Sequence, residues 1–400
     1  MYCTRKVTED LTWVGADDRR LACFEGVYGV PDGVSYNAYL LNDEKTVLFD
    51  TVDKAVSRTF FENLAHALGG RQLDYLVISH MEPDHAATIE ELTLRHPEVT
   101  IVCNAKIKTM LGQFFTLSDT LKYHLVAEGD KLSTGKHEFT FVMAPMVHWP
   151  ETMMTFDETD GILFSGDGFG CFGTVDGGFL DTRINVDKYW GEMVRYYSNI
   201  VGKYGSPVQR ALQKLGGLPI SAICSTHGPV WTENIAKVIG IYDRLSRYDA
   251  DEGVVIAYGS MYGNTEQMAE AIAEELSAQG VKNIVMHNVT KSHPSYIIAD
   301  IFRYKGLIIG SPTYSNQIFP EVEALLSKIL LREVKGRYLG YFGSFTWAGA
   351  AVKRLAEFAE KSKFELVGDP VEMKQAMKDL TYTQCENLAR AMADRLKKDR

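Results

Sequence analysis

His80, Glu82, Asp84 and His85 fall within six residues, in the run His80-Met81-Glu82-Pro83-Asp84-His85, and His148, Asp167 and His227 follow as isolated candidates downstream. Neutral imidazole and carboxylate are both good ligands for iron, zinc and manganese. A carboxylate standing apart, as Asp167 does, can bridge two ions about 3.5 to 4 Å apart, so the set can supply two metal ions. Four ligating side chains in six residues are difficult to explain as packing, and Pro83 helps hold the turn.

A second set lies past residue 250. Gly259-Ser260-Met261-Tyr262-Gly263-Asn264-Thr265 follows a strand-like run and leads straight into a helical pattern. Unpaired backbone N–H groups and the helix dipole both favour phosphate there. The spacing is neither the dinucleotide Gly-x-Gly-x-x-Gly nor a Lys-bearing nucleotide loop, which suits a monophosphate that is not transferred. Two further loops, Ser311-Pro312-Thr313-Tyr314-Ser315-Asn316 and Gly343-Ser344-Phe345-Thr346-Trp347-Ala348-Gly349, set an aromatic ring among small polar residues. A flavin needs flat aromatic walls and backbone donors, beyond the carboxyl ends of the strands in a sheet of this kind. The candidate flavin contacts are therefore Ser260, Met261, Tyr262, Gly263, Asn264 and Thr265, then Ser311 through Asn316, then Ser344, Phe345, Thr346, Trp347, Ala348 and Gly349, with Tyr314 and Trp347 flanking the ring. A metal pair with a flavin points to redox chemistry rather than hydrolysis.

The elements that must position these groups follow from the apolar pattern. Asp74 to Ser79 reads as a buried strand ending at His80; Phe139 to Ala144 precedes the loop with His148; Gly161 to Ser165 precedes Asp167; Ser221 to Thr226 precedes His227. Four strand ends thus point at one site, as expected where a rigid α/β scaffold lends its loops to function. Asn185 to Leu215 has helical spacing. Tyr242 to Gly253 is polar and charged without apolar periodicity, and the domain boundary is placed there, giving domains 1–250 and 251–400. Beyond it, strand-like runs at Val254 to Tyr258, Asn283 to His287, Gly306 to Ile309, Tyr338 to Phe342 and Phe364 to Gly368 alternate with helical patterns such as Glu266 to Gln279, which predicts a doubly wound parallel sheet.

Composition narrows the function. At 400 residues, two domains are expected, and 46% hydrophobic with 24% charged residues is globular. No run approaches the roughly 18 apolar residues of a membrane helix, and the N-terminus lacks an apolar signal core, so a cytoplasmic protein is expected. Residues 251–400 hold 19 Lys+Arg and 19 Asp+Glu, so the whole net charge of −10 lies in residues 1–250. No basic stripe suits nucleic acid, and an acidic electron carrier should find the C-terminal half less repulsive. The cysteines at 3, 23, 103, 171, 224 and 385 form no Cys-x-x-Cys pair, which argues against a zinc knuckle, a fused rubredoxin or an iron–sulfur cluster; they read as buried thiols, Cys103 and Cys224 as core. Of the ten histidines, His66, His96, His124, His137, His287 and His293 are assigned structural hydrogen-bonding roles.

The three loops of the C-terminal half resemble the flavodoxin family, and the 80–85 run resembles the His-x-His-x-Asp-His motif of the metallo-β-lactamase fold, with Glu82 where the hydrolases usually place a second His. A carboxylate there adds charge and a harder donor, which favours iron or manganese over zinc. The ligand order together with the flavodoxin-like half resembles the flavodiiron proteins across nearly the whole chain, and Trp149-Pro150-Glu151-Thr152-Met153 is similar to that family's segment after a ligand histidine. The resemblance implies an α/β chain: a metallo-β-lactamase-like αββα sandwich holding a non-haem diiron site, followed by a flavodoxin-like doubly wound parallel sheet holding FMN. It implies that His80, Glu82 and His148 ligate one iron and Asp84 and His227 the other, that Asp167 bridges, and that His85 lies beside the second iron without binding it. The implied activity is reduction of O₂ to water, of NO to N₂O, or both. Electrons are expected from a separate rubredoxin or from reduced deazaflavin (F420H₂), and a head-to-tail homodimer or a dimer of dimers is expected. The rivals are a metallo-β-lactamase-fold hydrolase with an appended flavodoxin domain, against which Glu82 counts, and an electron carrier with a closed, merely structural metal site.

Overall fold

The computed structural model describes residues 2–399. It divides into two compact units: the first runs to Tyr197 and resumes over Tyr204–Ser246, and the second comprises Ser198–Lys203 and continues from Arg247. The helix Ile235–Ser246 occupies the first part of the polar stretch that begins at Tyr242, with Tyr242, Leu245 and Ser246 buried, and the first unit ends with it. The expected helical stretch 185–215 is Asp187–Tyr196 and Gly205–Leu215, broken between them by a π turn over Tyr197–Val201 and a 3₁₀ turn over Gly202–Tyr204.

In the first unit, a seven-stranded sheet runs in the order Arg5–Lys6, Leu11–Trp13, Tyr39–Asn42, Thr46–Phe49, Tyr75–Val77, Thr100–Cys103, Lys122–Leu125. Its pairing is antiparallel up to Thr46–Phe49 and parallel beyond, where the helices Ser57–Leu68, Ile89–Arg95 and Ala105–Phe114 provide the crossovers. A five-stranded sheet follows, Lys131–Ser133, Glu138–Met143, Met153–Asp157, Ile162–Gly166 and Ala222–Ser225, antiparallel except for the last pair. Aromatic side chains join the two sheets. Phe49 of the first stacks on Phe164 of the second at 3.6 Å between ring centres and meets Phe139 edge-on at 5.4 Å, and Tyr39 meets Phe164 at 5.8 Å. All four rings are buried. This is a sandwich of two sheets, held by aromatic burial of about 1.5–3 kcal/mol per side chain.

The second unit is one sheet in the order Ile284–Asn288, Asp251–Tyr258, Tyr304–Tyr314, Tyr338–Phe345, Glu365–Leu366, parallel throughout this path. Order 2-1-3-4-5 is the doubly wound pattern whose direction of winding reverses between the first and third strands, where ligands bind. Two departures from the sequence reading have local causes. The third strand runs on to Tyr314 and turns back through Ser315 and Asn316, both at positive φ, to pair with Gln317–Ile318; this two-residue hairpin makes Ser311–Tyr314 strand rather than loop. The fifth strand is split, since Gly368 at φ +70° ends Glu365–Leu366 and pairing with Tyr338–Phe345 resumes at Val371–Lys374. Behind the sheet, the helices Asn264–Ala278 and Asp379–Lys397 share a core of Met268, Ile272, Leu276, Leu388, Met392 and Leu396. Among the described residues no helix is long and apolar enough to cross a membrane.

Candidate functional site

In the first unit the strand Tyr75–Val77 delivers Ser79 and His80, and Glu82 then stands at the N-cap of a short helix, Pro83–Ala86, with Pro83 at its first position. Proline's fixed φ suits that position, and the turn that follows projects Asp84 and His85. Glu82 makes no side-chain capping bond; its Oε2 lies 2.9 Å from His148 Nε2 instead. His148 sits in the loop before Met153–Asp157, Asp167 directly follows Ile162–Gly166, and His227 follows Ala222–Ser225. Gly228, at φ +82°, lets the chain turn away from His227 where a Cβ would meet Cys171 Sγ at 2.3 Å.

Two ligand groups form. His80, Glu82, His148 and Asp167 place one ligand atom each within 4.8 Å of one another, and Asp84, His85 and His227 do the same. Asp167 faces both. Its Oδ2 is 3.0 Å from His148 Nε2 and 3.8 Å from His80 Nε2, while its Oδ1 is 3.3 Å from His85 Nε2 and 3.5 Å from His227 Nε2. The Thr226 hydroxyl donates to Asp167 Oδ1 at 2.5 Å and so fixes the carboxylate plane. His227 Nε2 is 3.0 Å from Asp84 Oδ2. Even so, His80 Nε2, His227 Nε2, both oxygens of Asp84 and both ring nitrogens of His85 are buried without a hydrogen bond among the described residues. Buried polar atoms are nearly always partnered. Atoms that approach to 3.0 Å without bonding are aimed at a common point, and nitrogen and oxygen lone pairs so aimed fit metal cations. His85 is thus drawn into the second group rather than left facing solvent, with Nε2 toward Asp84 and Asp167.

The electrostatics agree. Burial works against charge on His85, yet the carboxylates of Asp84 and Asp167 push it up to about 10. Burial likewise opposes charge on His148, which Asp167 and Glu82 raise well above its usual range. Glu82, despite burial, is drawn down to about 2 by His148 and His80. Three carboxylates converging on one buried spot demand positive charge, which protons supply on histidine and metal ions would supply better.

Three contributors escaped the sequence reading. Glu151 is buried and accepts from the Met81 N–H at 3.0 Å, with Oε1 2.6 Å from His80 Nδ1. Burial raises its carboxyl, but His80 holds it below the ordinary value. Glu25, at positive φ in the turn between Cys23–Phe24 and Tyr28–Gly29, keeps exposed surface, yet the protein around its carboxyl excludes enough water to push it up to about 8, with the charge of Glu82 adding to the rise. Thr226 is the third. Its signal was present, since a hydroxyl beside a ligand histidine is a ready donor; Glu151 had the signal of a carboxylate three residues past His148. Elsewhere His137 lies between Asp157 at 2.8 Å and Asp10 at 3.4 Å, and His287 between Ser292 and Asp300, as hydrogen-bonded residues. No disulfide forms among the described residues, and the cysteines divide: 103, 171, 224 and 385 are buried, Cys23 is half-buried, and Cys3 is exposed, contrary to the expectation of six buried thiols.

In the second unit a cleft of about 420 Å³ opens at the carboxyl ends of the strands. It is lined by Ser260, Met261, Tyr262, Asn264 and Thr265, by Pro312 through Asn316, by Ser344 through Ala348, and by Gln375. Gly263, Ser311 and Gly349 lie off the lining. Gly263, at φ +92°, carries the turn into the helix Asn264–Ala278 and its N–H donates to Ser260 Oγ; Ser311 spends its hydroxyl inward on Pro312 O and the Phe319 N–H; at Gly349 a Cβ would stand 2.7 Å from Glu372 Oε1. Gln375 was missed because it directly follows the resumed fifth strand Val371–Lys374, which the sequence did not show. Tyr262 is 92% and Trp347 84% exposed, and Tyr314 47%. Three uncovered aromatic faces around a helix N-terminus fit a flat, phosphorylated ring system.

Comparison with known proteins agrees with both halves. The family model described as ODP family beta lactamase matches residues 34–228, and the flavodoxin model matches residues 256–387. An anaerobic nitric oxide reductase flavorubredoxin of Klebsiella pneumoniae is 33% identical over 366 residues, 90% of this chain and 75% of that one. The solved rubredoxin oxygen:oxidoreductase of Desulfovibrio gigas superposes with a TM-score of 0.94 at 31% identity over 99% of both chains, and the flavodiiron protein of Giardia intestinalis with 0.93 at 25% over 100% of this chain and 99% of that one. Likeness of this extent, over both units at once, makes the chain an oxidoreductase and a member of the flavodiiron protein family.

Proposed function

We propose that this chain reduces O₂ to water, NO to N₂O, or both, at two non-haem irons in residues 1–250, with FMN in residues 251–400 relaying electrons from a separate rubredoxin. His80, Glu82 and His148 would hold one iron, Asp84 and His227 the other, and Asp167 both. The observation that carries the reading is Asp167, whose Oδ2 faces His80 and His148 and whose Oδ1 faces His85 and His227, with His80 Nε2, His227 Nε2, both Asp84 oxygens and both His85 nitrogens buried without a hydrogen bond among the described residues. When bound, two irons and a flavin together can supply the four electrons that O₂ requires or the two that a pair of NO molecules requires.

The chain's own residues do the rest. Ser35 O and Glu151 fix the proton on the outer nitrogens of His227 and His80, so that the inner nitrogens are free to ligate. Thr226 keeps the bridging carboxylate in plane. Phe24, Tyr36 and Tyr196 pack around His227 with ring centres at 5.5, 5.9 and 5.7 Å, which keeps bulk water off that side. Tyr262, Tyr314 and Trp347 would flank the flavin, and the N-terminus of the helix Asn264–Ala278 would take its phosphate. Rubredoxin is favoured as donor because the names of the Klebsiella and Desulfovibrio relatives carry it; a head-to-tail homodimer completes the reading.

The test is anaerobic reduction of the iron- and FMN-loaded protein, with O₂ and NO consumption followed separately at an electrode and rubredoxin compared with reduced deazaflavin as donor. Turnover of O₂ to water with little NO loss makes it an oxygen reductase, the converse a nitric oxide reductase. No turnover of either gas by protein holding both cofactors overturns the reading.

A further inference from the structure

Two of the imidazoles facing the centre, His80 and His227, are held from behind, and their holders differ in charge. His80 Nδ1 is 2.6 Å from Glu151 Oε1, which also accepts the Met81 N–H at 3.0 Å. The Glu151 side chain is wholly buried, and its Oε2 makes no hydrogen bond among the described residues, so its hydrogen bonds fall on Oε1, to His80 and the Met81 N–H. His227 Nδ1 instead lies 2.8 Å from the Ser35 carbonyl oxygen, a neutral acceptor. Both acceptors fix the tautomer that leaves Nε2 free. Only the carboxylate also makes the ring a stronger donor, because its negative charge stabilises proton density at Nδ1 and pushes electron density toward Nε2.

We propose that Glu151 is a positioning residue that makes the two metal positions unequal, selectively tightening the one that His80 faces. The backbone around it is built to hold it there. Asn104 caps the helix Ala105–Phe114 with its Oδ1 and donates from Nδ2 to the Glu151 carbonyl at 2.7 Å, and Trp149 meets the His80 ring edge-on at 5.0 Å. The proposal deepens the metal-centre reading and rests on it.

The test is a cobalt(II) titration of the metal-free full-length protein against a competing chelator, read by ligand-field absorption, for wild type, Glu151→Gln and Asn104→Ala. Glu151→Gln keeps an oxygen acceptor of the same shape but removes the charge, so His80 becomes backed as His227 is. One of the two binding steps should weaken by about 10- to 100-fold while the other stays in place. Asn104→Ala loosens the Glu151 backbone but keeps the charge, so it should weaken the same step by less than Glu151→Gln does and leave the other step in place. Two bound ions whose affinities in Glu151→Gln shift together, or not at all, overturn the proposal and leave the metal-centre reading standing; so does an Asn104→Ala shift equal to that of Glu151→Gln. Failure of the wild type to bind two ions overturns both.

Discussion

Trp347 offers a clean separation of binding from stability. Its side chain is 84% exposed, so in the folded chain it contributes almost no buried area. Trp347→Ala should therefore leave unfolding within about 0.5 kcal/mol of wild type, as surface substitutions do. Flavin binding should respond strongly. An aromatic side chain of this size can bury about 200 Å², so covering one face removes about 100 Å² from water, worth ~2.5 kcal/mol at 25 cal/mol per Å². Stacking geometry adds about 0.5–1.5 kcal/mol, and ordering the side chain takes back about 0.5–1.5 kcal/mol. The net, about 1.5–3.5 kcal/mol, is a rise in the FMN dissociation constant of about 10- to 400-fold. The assay is quenching of FMN fluorescence on titration with flavin-free protein, beside thermal unfolding of the same samples. Leu331→Ala, 63% exposed and away from the cleft, is the control and should change neither. An FMN affinity within threefold of wild type, or a Trp347→Ala protein that unfolds several degrees early, would refute the argument that this ring is held open for a ligand.

Asp167→Asn should lower bound iron from about two ions to about one or fewer per chain by metal analysis, since an amide cannot serve both groups as a bridging anion. Arg337 is wholly buried and donates to the carbonyls of Ile301, Phe302, Tyr248 and Lys335, and burial, only partly offset by the charges of Tyr248 and Asp249, pulls it down to about 10; Arg337→Met should cost about 3 kcal/mol or more by leaving those acceptors unpaired, read as urea unfolding of the flavin-binding half. At Asp181, burial raises the carboxyl, but the hydrogen bonds from Thr232 and Asn234 hold it below the ordinary value. Its contribution is therefore present above the unfolded-state value of about 3.9 and is lost as the pH falls through the lower folded value. Asp181→Ala should cost about 1–2 kcal/mol at neutral pH, like loss of a helix cap, and the gap to wild type in thermal unfolding should narrow toward acid pH.

What the sequence disclosed and what it concealed have physical explanations. Strand ends and the 80–85 run were legible because apolar runs and clustered ligand types are local signals, whereas the sandwich of the first unit was expected from the family resemblance and not from the order of such runs. Ser311 to Tyr314 read as loop because Ser, Pro and Thr weaken the strand signal, whereas the hairpin at Ser315-Asn316 depends on two positive φ angles that composition does not announce. The split fifth strand was hidden by its shortness. Glu151 lies in the Trp149–Met153 segment next to a ligand histidine, yet its pairing with His80, 71 residues away, is a tertiary fact. Thr226 likewise acts across 59 residues on Asp167. The closed third group of His137, Asp157 and Asp160 shows the converse, since its residue types could ligate and its imidazole is already spoken for.

The ligand atoms of the centre come from four separate stretches of chain, and Asp167 ties the two groups together. No such arrangement exists in an unfolded chain, so ions binding there favour the folded first unit by mass action: about 2.7 kcal/mol for each site at a free-ion concentration one hundred times its dissociation constant. Iron supply and protein lifetime are thereby coupled. In an iron-starved cell this chain would lose more than its chemistry; the half that holds the ions would open more often, and proteases would clear the apoprotein ahead of the loaded form.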